Sequence, residues 1–175
     1  LEMSPEYTMR KAHEVLKQVT GMEYEVMGEL EYYVVSENDD LFLASDQKGY
    51  HESTPFNKGR DLRALAMKYI AETGGLIKYG HSEVGNFTKG DLMYEQNEIE
   101  FLPTKMEDAA DQLIIAKWIL RTLAYQFGVD LTFAPKITVG KAGSGLHIHT
   151  RLKKGDKNMM IENGKLTDSA LKAIA

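Results

Sequence analysis

Apolar and polar residues alternate along residues 24–35, as a strand should. Tyr24, Val26, Leu30, Tyr32 and Val34 fall on one face, and Glu25, Met27, Glu29, Glu31 and Tyr33 on the other. Three long helices are spaced around this strand. The first opens at Ser4-Pro5-Glu6, carries Met9, Ala12, Leu16 and Val19 as its apolar stripe, and stops at Gly21. The second covers residues 57–73, with Leu62, Leu65, Ala66, Tyr69 and Ile70 on one side and Gly74-Gly75 at its end. The third covers residues 104–127. Thr104 and Glu107 have capping-box spacing, and Ala109, Leu113, Ala116, Leu120, Leu123 and Phe127 form the deep stripe. Ile114, Ile115, Trp118 and Ile119 widen that stripe, so this helix is expected to be largely buried.

Further strands are expected at residues 41–44, 76–84, 92–101, 131–137 and 146–152. Turns are expected at Asn38-Asp39-Asp40, at a hairpin tip over residues 86–91 around Gly90, and at Lys154-Gly155-Asp156, with residues 158–161 closing the last hairpin. The elements suit an α+β fold, and a curved, largely antiparallel sheet is expected. Helices 57–73 and 104–127 should pack on its apolar side, because their stripes need that surface.

Composition narrows this picture. With 175 residues, 43% hydrophobic and 27% charged, the chain suits one globular domain spanning 1–175. It begins at Leu1 rather than Met, and the helix capped by Thr167 meets no stop signal, so the domain is expected to be truncated at both ends. A net charge of -5 argues against a nucleic-acid partner. No stretch is apolar enough to suggest a membrane partner. The absence of cysteine excludes disulfides and thiolate metal sites. No signal peptide is expected, and a cytoplasmic protein is the expectation.

The acids raise a chemical question. Glu25, Glu29 and Glu31 share a strand face with no Lys or Arg to relieve their repulsion. Glu83 and Glu98 lie on other strands flanked by apolar residues. His147 and His149 share a face at i and i+2, behind Gly143-Ser144-Gly145. These residues either decorate an exposed sheet or gather around a hard divalent cation, which takes carboxylate oxygens.

The order and context of these residues resemble the catalytic domain of glutamine synthetase. Gly28-Glu29-Leu30-Glu31-Tyr32 is similar to that family's Glu-x-Glu strand. Gly49-Tyr50-His51-Glu52-Ser53-Thr54-Pro55 resembles its Gly-Tyr-Phe segment, and His81-Ser82-Glu83-Val84 its His-His-Glu-Val. Gln96-Asn97-Glu98-Ile99, Phe133-Ala134-Pro135-Lys136 and Gly143-Ser144-Gly145-Leu146-His147-Ile148-His149 resemble three further motifs in family order. The chain departs from the pattern in a longer Glu83–Glu98 connection, in Lys141-Ala142 where an Asn usually precedes the glycines, and in Arg151 where a Ser is usual. These departures are closer to the long type III enzymes.

The resemblance implies a fold like that of glutamine synthetases and guanido kinases, and an ATP-dependent ligase making glutamine from glutamate and ammonia through γ-glutamyl phosphate. It implies Mg²⁺ or Mn²⁺, one ion on Glu31, Glu83 and Glu98 and a second on Glu29 and His147. His149 and Arg151 would meet the nucleotide and Gly143 the glutamate substrate, in a homo-oligomer. The phosphate-clamping arginines would lie beyond residue 175, so the isolated piece is expected to be inactive. Two relatives of this reading stay open: a ligase that joins glutamate to a polyamine or another amine, and a non-catalytic scaffold.

Overall fold

The computed structural model describes residues 2–38 and 41–174. In chain order the elements are α1 (Pro5–Thr20), β1 (Glu23–Glu37), α2 (Arg60–Glu72), β2 (Ile77–Lys89), β3 (Leu92–Phe101), β4 (Thr104–Lys105), α3 (Met106–Phe127), β5 (Asp130–Thr132), β6 (Leu146–Lys154), β7 (Lys157–Asn158), β8 (Ile161–Glu162), β9 (Lys165–Leu166) and α4 (Asp168–Ile174). The main sheet has strand order β2-β3-β1-β6-β7, with β4 and β5 also pairing β1. Its β1–β3, β2–β3, β1–β4, β1–β5 and β6–β7 pairs are antiparallel. The α+β expectation is met. Among the described residues, no helix is long and apolar enough to cross a membrane.

The chain divides into two compact units. One comprises Leu1–Met27, Pro103–Asp111 and Ile148–Ala175, and the other Gly28–Leu102 and Gln112–His147.

In the second unit the apolar faces of β1 and β3 supply Leu30, Tyr32, Val34, Ile99 and Phe101 to the core. Leu62, Ala66 and Ile70 of α2 and Leu113, Ala116, Ile119, Leu120, Leu123 and Ala124 of α3 cover them. Each such large apolar side chain contributes about 1.5–3 kcal/mol by burial. Alternation then commits the odd-numbered residues of β1 to the opposite face. The N-terminus of α2 has no side-chain cap at Gly59. Glu95, on the helix side of β3, accepts from the Lys58 N–H at 2.8 Å and serves that end instead. Arg63 of α2 is buried and donates to Asn57 and to Asn97 of β3, tying helix to strand.

The first unit is held by a polar joint. Ser4 caps α1 by accepting from the Tyr7 N–H, and Gly21 ends it with φ 69°. His13 of α1 accepts the Tyr24 N–H on Nε2 at 3.0 Å, while its Nδ1 lies 2.7 Å from Glu107 Oε1. Glu107 is therefore engaged by His13 in place of a capping box, and residues 104–105 form β4 against Glu25 and Val26. α3 starts at Met106, two residues later than expected.

Other expectations are corrected. Residues 41–44 form no strand: Phe42 has φ 57°, which breaks an extended run, and Leu41, Phe42 and Leu43 are exposed. The turn proposed at Asn38-Asp39-Asp40 falls partly outside the described residues. β2 and β3 stay paired out to Lys89↔Leu92, so the expected tip over residues 86–91 shrinks to the turn at Gly90-Asp91. The strand expected at 131–137 is only β5, and the last hairpin closes with β7, which ends at Asn158, while Ile161 opens β8. Ile114 and Trp118 are 70% and 66% exposed, so α3 is less buried than its sequence implied, and Val19 of α1 is 78% exposed. In these places the pattern marked apolar faces correctly without a covering element in the described residues.

Candidate functional site

Strand register assembles the polar face of the second unit. Glu98 on β3 lies opposite Glu31 on β1 and opposite His81 on β2. Alternation places Glu29 and Glu100 on the same face, and Glu83 reaches it beside His81 and close enough for its charge to act on Glu98. The expected trio Glu31, Glu83 and Glu98 thus shares one side of the sheet. The register shift between Ser82 and Asn86 falls at Glu83 itself, so this acid sits in an irregular stretch of β2.

Glu98 Oε2 is 3.2 Å from His81 Nε2. Glu83 turns Oε2 to its neighbour's Val84 N–H at 2.8 Å and leaves Oε1 3.8 Å from His81 Nδ1. His147, at the start of β6, has Nδ1 3.3 Å from Glu29 Oε2 and 3.4 Å from Glu31 Oε1. Potential ligand atoms of Glu29, Glu98 and His147 lie within 4.8 Å of one another, and so do those of His81, Glu98 and Glu100.

The electrostatics follow from this crowding. Burial pushes the Glu98 carboxyl up, and the charges of Glu31, Glu83, Glu29 and Glu100 carry it further, to about 8. Glu100 moves the other way: burial raises it, but bonds from Lys78 and Tyr79 win and hold it below the ordinary carboxylate range. Lys78 Nζ lies 2.6 Å from Glu100 Oε2. A raised Glu98 carboxyl crowded by four other acids, with the imidazoles of His81 and His147 beside it, suits a hard divalent cation. That donor set fits Mg²⁺ or Mn²⁺.

The loop before β6 is tied down residue by residue. Lys141 Nζ pairs with Asp46 Oδ2 at 2.5 Å, and the Ala142 N–H donates to Gln47 Oε1 at 2.7 Å. The Tyr33 hydroxyl donates to Ala142 O at 2.8 Å, and the Ser144 N–H donates to Pro135 O at 3.0 Å. The Gly145 N–H donates to Glu31 Oε2 at 3.0 Å. Gly143 lies so close to the chain at Pro135 that a Cβ would come 2.3 Å from the Pro135 carbonyl oxygen. Gln96 joins this set from β3, giving one proton to Glu31 Oε2 at 2.6 Å and one to Gly143 O at 2.8 Å.

His149 and Arg151 belong to the first unit. There Arg151 grips Glu25, with Nε 2.9 Å from Oε2 and Nη2 also on Oε2. Lys153 Nζ lies 2.5 Å from Glu25 Oε1. Burial raises the Glu25 carboxyl, but Lys153 and Arg151 outweigh it and hold it below its ordinary range.

Sequence reasoning gave no role to His81, Gln96 or Glu100. Their parity was a usable signal: Gln96 and Glu100 flank Glu98 at i±2, and His81 precedes Glu83 by two. The register that brings β2 opposite β3 was not readable.

Comparison with known proteins adds the family context. The family model for "Glutamine synthetase, catalytic domain" matches residues 2–175. A glutamine synthetase of Pyrococcus woesei is 29% identical over 168 residues, which is 95% of this chain and 36% of that protein. One from Vibrio cholerae is 33% identical over 125 residues, 70% of this chain and 25% of that protein. The solved structure of Plasmodium falciparum glutamine synthetase matches with a TM-score of 0.83 at 20% identity, over 97% of this chain and 39% of that one. The chain spans 36% of the Pyrococcus protein's length.

Proposed function

The chain belongs to the glutamine synthetase catalytic-domain family, and on that premise we propose that it supplies part of the active site of an ATP-dependent glutamate–ammonia ligase. In this reading the γ-phosphoryl group of ATP passes to the γ-carboxylate of glutamate and ADP leaves. Ammonia then attacks the acyl carbon of γ-glutamyl phosphate, and phosphate departs with the bonding electron pair. The observation that carries the reading is the row Glu31–Glu98–His81 across three strands, with Glu98 pushed up to about 8 by the acids around it.

Glu31, Glu83 and Glu98 would hold one Mg²⁺ or Mn²⁺, and Glu29 with His147 a second. Glu98, within reach of both Glu29 and His147, would link the two. Bound there, the cations would neutralise the repulsion between ATP phosphates and the substrate carboxylate. His149 and Arg151 would face the nucleotide, with Glu25 holding the guanidinium in place. The Gly143 backbone would carry the amino-acid substrate on a loop that side chains already fix. The whole protein would work as a homo-oligomer in the cytoplasm, where ATP and glutamate are abundant.

The test is phosphate release by the full-length protein with ATP and glutamate, with and without ammonium. The reading expects phosphate and glutamine in equal amounts, only when all three substrates are present. Turnover with a polyamine and none with ammonium would replace it with the γ-glutamyl-amine ligase reading.

A further inference from the structure

Gln96 is 2% exposed and uses every hydrogen-bonding group of its amide. Its Nε2 donates to Glu31 Oε2 at 2.6 Å and to Gly143 O at 2.8 Å, and its Oε1 accepts the Gly85 N–H at 3.0 Å. The partners fix its orientation. A flipped amide would set its oxygen against a carboxylate and a carbonyl, and its NH₂ against an N–H. The same oxygen of Glu31 also takes the Gly145 N–H. Glu31 therefore presents only Oε1 to the cluster, towards His147. One buried amide thus touches both an acid of the proposed cation site and the carbonyl of the proposed substrate loop, whose oxygen keeps a second lone pair for an ammonium donor.

We propose that Gln96 is a positioning residue that couples the carboxylate cluster to the Gly143–Gly145 loop, so that a divalent cation and an amino-acid substrate strengthen each other's binding. This inference rests on the ligase reading. A cation drawn to Glu31 Oε1 holds the carboxylate in one rotamer. Its Oε2 then holds the Gln96 amide and the Gly145 N–H, and the amide aims the Gly143 carbonyl. Substrate on that carbonyl restrains Glu31 by the same bonds in reverse, since linkage is reciprocal. A buried glutamine that only fills space would satisfy the sheet without this reciprocity.

The experiment uses the full chain, titrating Mn²⁺ by electron paramagnetic resonance with and without saturating glutamate, and glutamate by calorimetry with and without Mn²⁺. In the wild type each ligand should tighten the other by about 5-fold or more. Gln96→Met keeps the length and loses all three hydrogen bonds. It should bind Mn²⁺ alone within about 3-fold of wild type, while the mutual tightening falls by at least about 2-fold, the remainder being the direct attraction of cation and substrate carboxylate. Tyr33→Phe loosens the same loop at Ala142 without touching Glu31, and should weaken glutamate while keeping the mutual tightening. Hydrogen exchange on the wild type needs no variant to fold: Mn²⁺ alone should slow the Ala142 and Gly143 amides. Undiminished tightening in Gln96→Met, loss of Mn²⁺ binding by that variant, or unchanged exchange would overturn the coupling. A wild type that binds neither Mn²⁺ nor glutamate would overturn the ligase reading itself.

Discussion

Replacing Glu98 by glutamine should stabilise the metal-free protein at pH 8 and sharply reduce its response to manganese. Glu98 sits between Glu31 and His81 in the register and is pushed from 4.5 to about 8. Because its folded-state value is raised, its contribution is complete below about pH 4.5, where the unfolded carboxyl is also protonated. As pH rises towards 8 the unfolded chain releases that proton while the folded chain retains it, and stability falls. Unrelaxed, the shift corresponds to roughly 5 kcal/mol. The cluster opens to solvent at His147, whose side chain is 59% exposed, so about 2 kcal/mol is the working figure. The amide introduced by Glu98→Gln does not ionise and avoids this loss, and it can still meet His81 Nε2. Thermal unfolding at pH 8 with chelator should therefore show Glu98→Gln about 4–8 °C above wild type, converging near pH 4.5. Manganese at 100 times its dissociation constant should then raise the wild type by about 2.7 kcal/mol and the variant by far less, reversing their order. A variant less stable than wild type without metal at pH 8, or equally stabilised by Mn²⁺, would refute the placement of Glu98 among like charges at a cation site.

Three further outcomes follow from the first unit. His13→Ala strands both the Tyr24 N–H and Glu107, and should lower unfolding free energy in urea by about 1–3 kcal/mol. In the wild type the Glu107 carboxyl is held low: burial raises it, but hydrogen bonds from its own N–H and from His13 win, so the stability it gives should be present above about pH 4.5 and disappear as pH falls further. Arg151→Ala should weaken ATP about 10-fold with Mn²⁺ affinity unchanged, measured by calorimetry; equal ATP affinity would confine Arg151 to its pairing with Glu25.

Much of this was legible because strand alternation is strict. Once Leu30, Tyr32 and Val34 are assigned to the core, Glu29 and Glu31 have only the other face. The same logic placed Glu98, and the ordered motifs named the family. What alternation cannot supply is register. The pairing of Glu98 with both Glu31 and His81 depends on the tight turn at Gly90 and the irregularity after Ser82, which shift whole strands by residues that look unremarkable in the sequence. Long-range polar contacts were equally hidden. Glu107 resembles a capping residue locally, yet it bonds His13, 94 positions away. Gln96 likewise bonds Gly143, 47 positions away. The exposure of Ile114 and Trp118 shows a third limit, since an apolar stripe identifies a face but not what covers it.

The central claim is that this sheet face holds divalent cations on named carboxylates, and anomalous diffraction at the manganese edge from crystals of the full-length protein grown with Mn²⁺ and ATP tests it most directly. The account predicts a peak about 2 Å from oxygens of Glu31, Glu83 and Glu98, and a second beside Glu29 and His147. Manganese bound elsewhere, with these five side chains free of it, would contradict it.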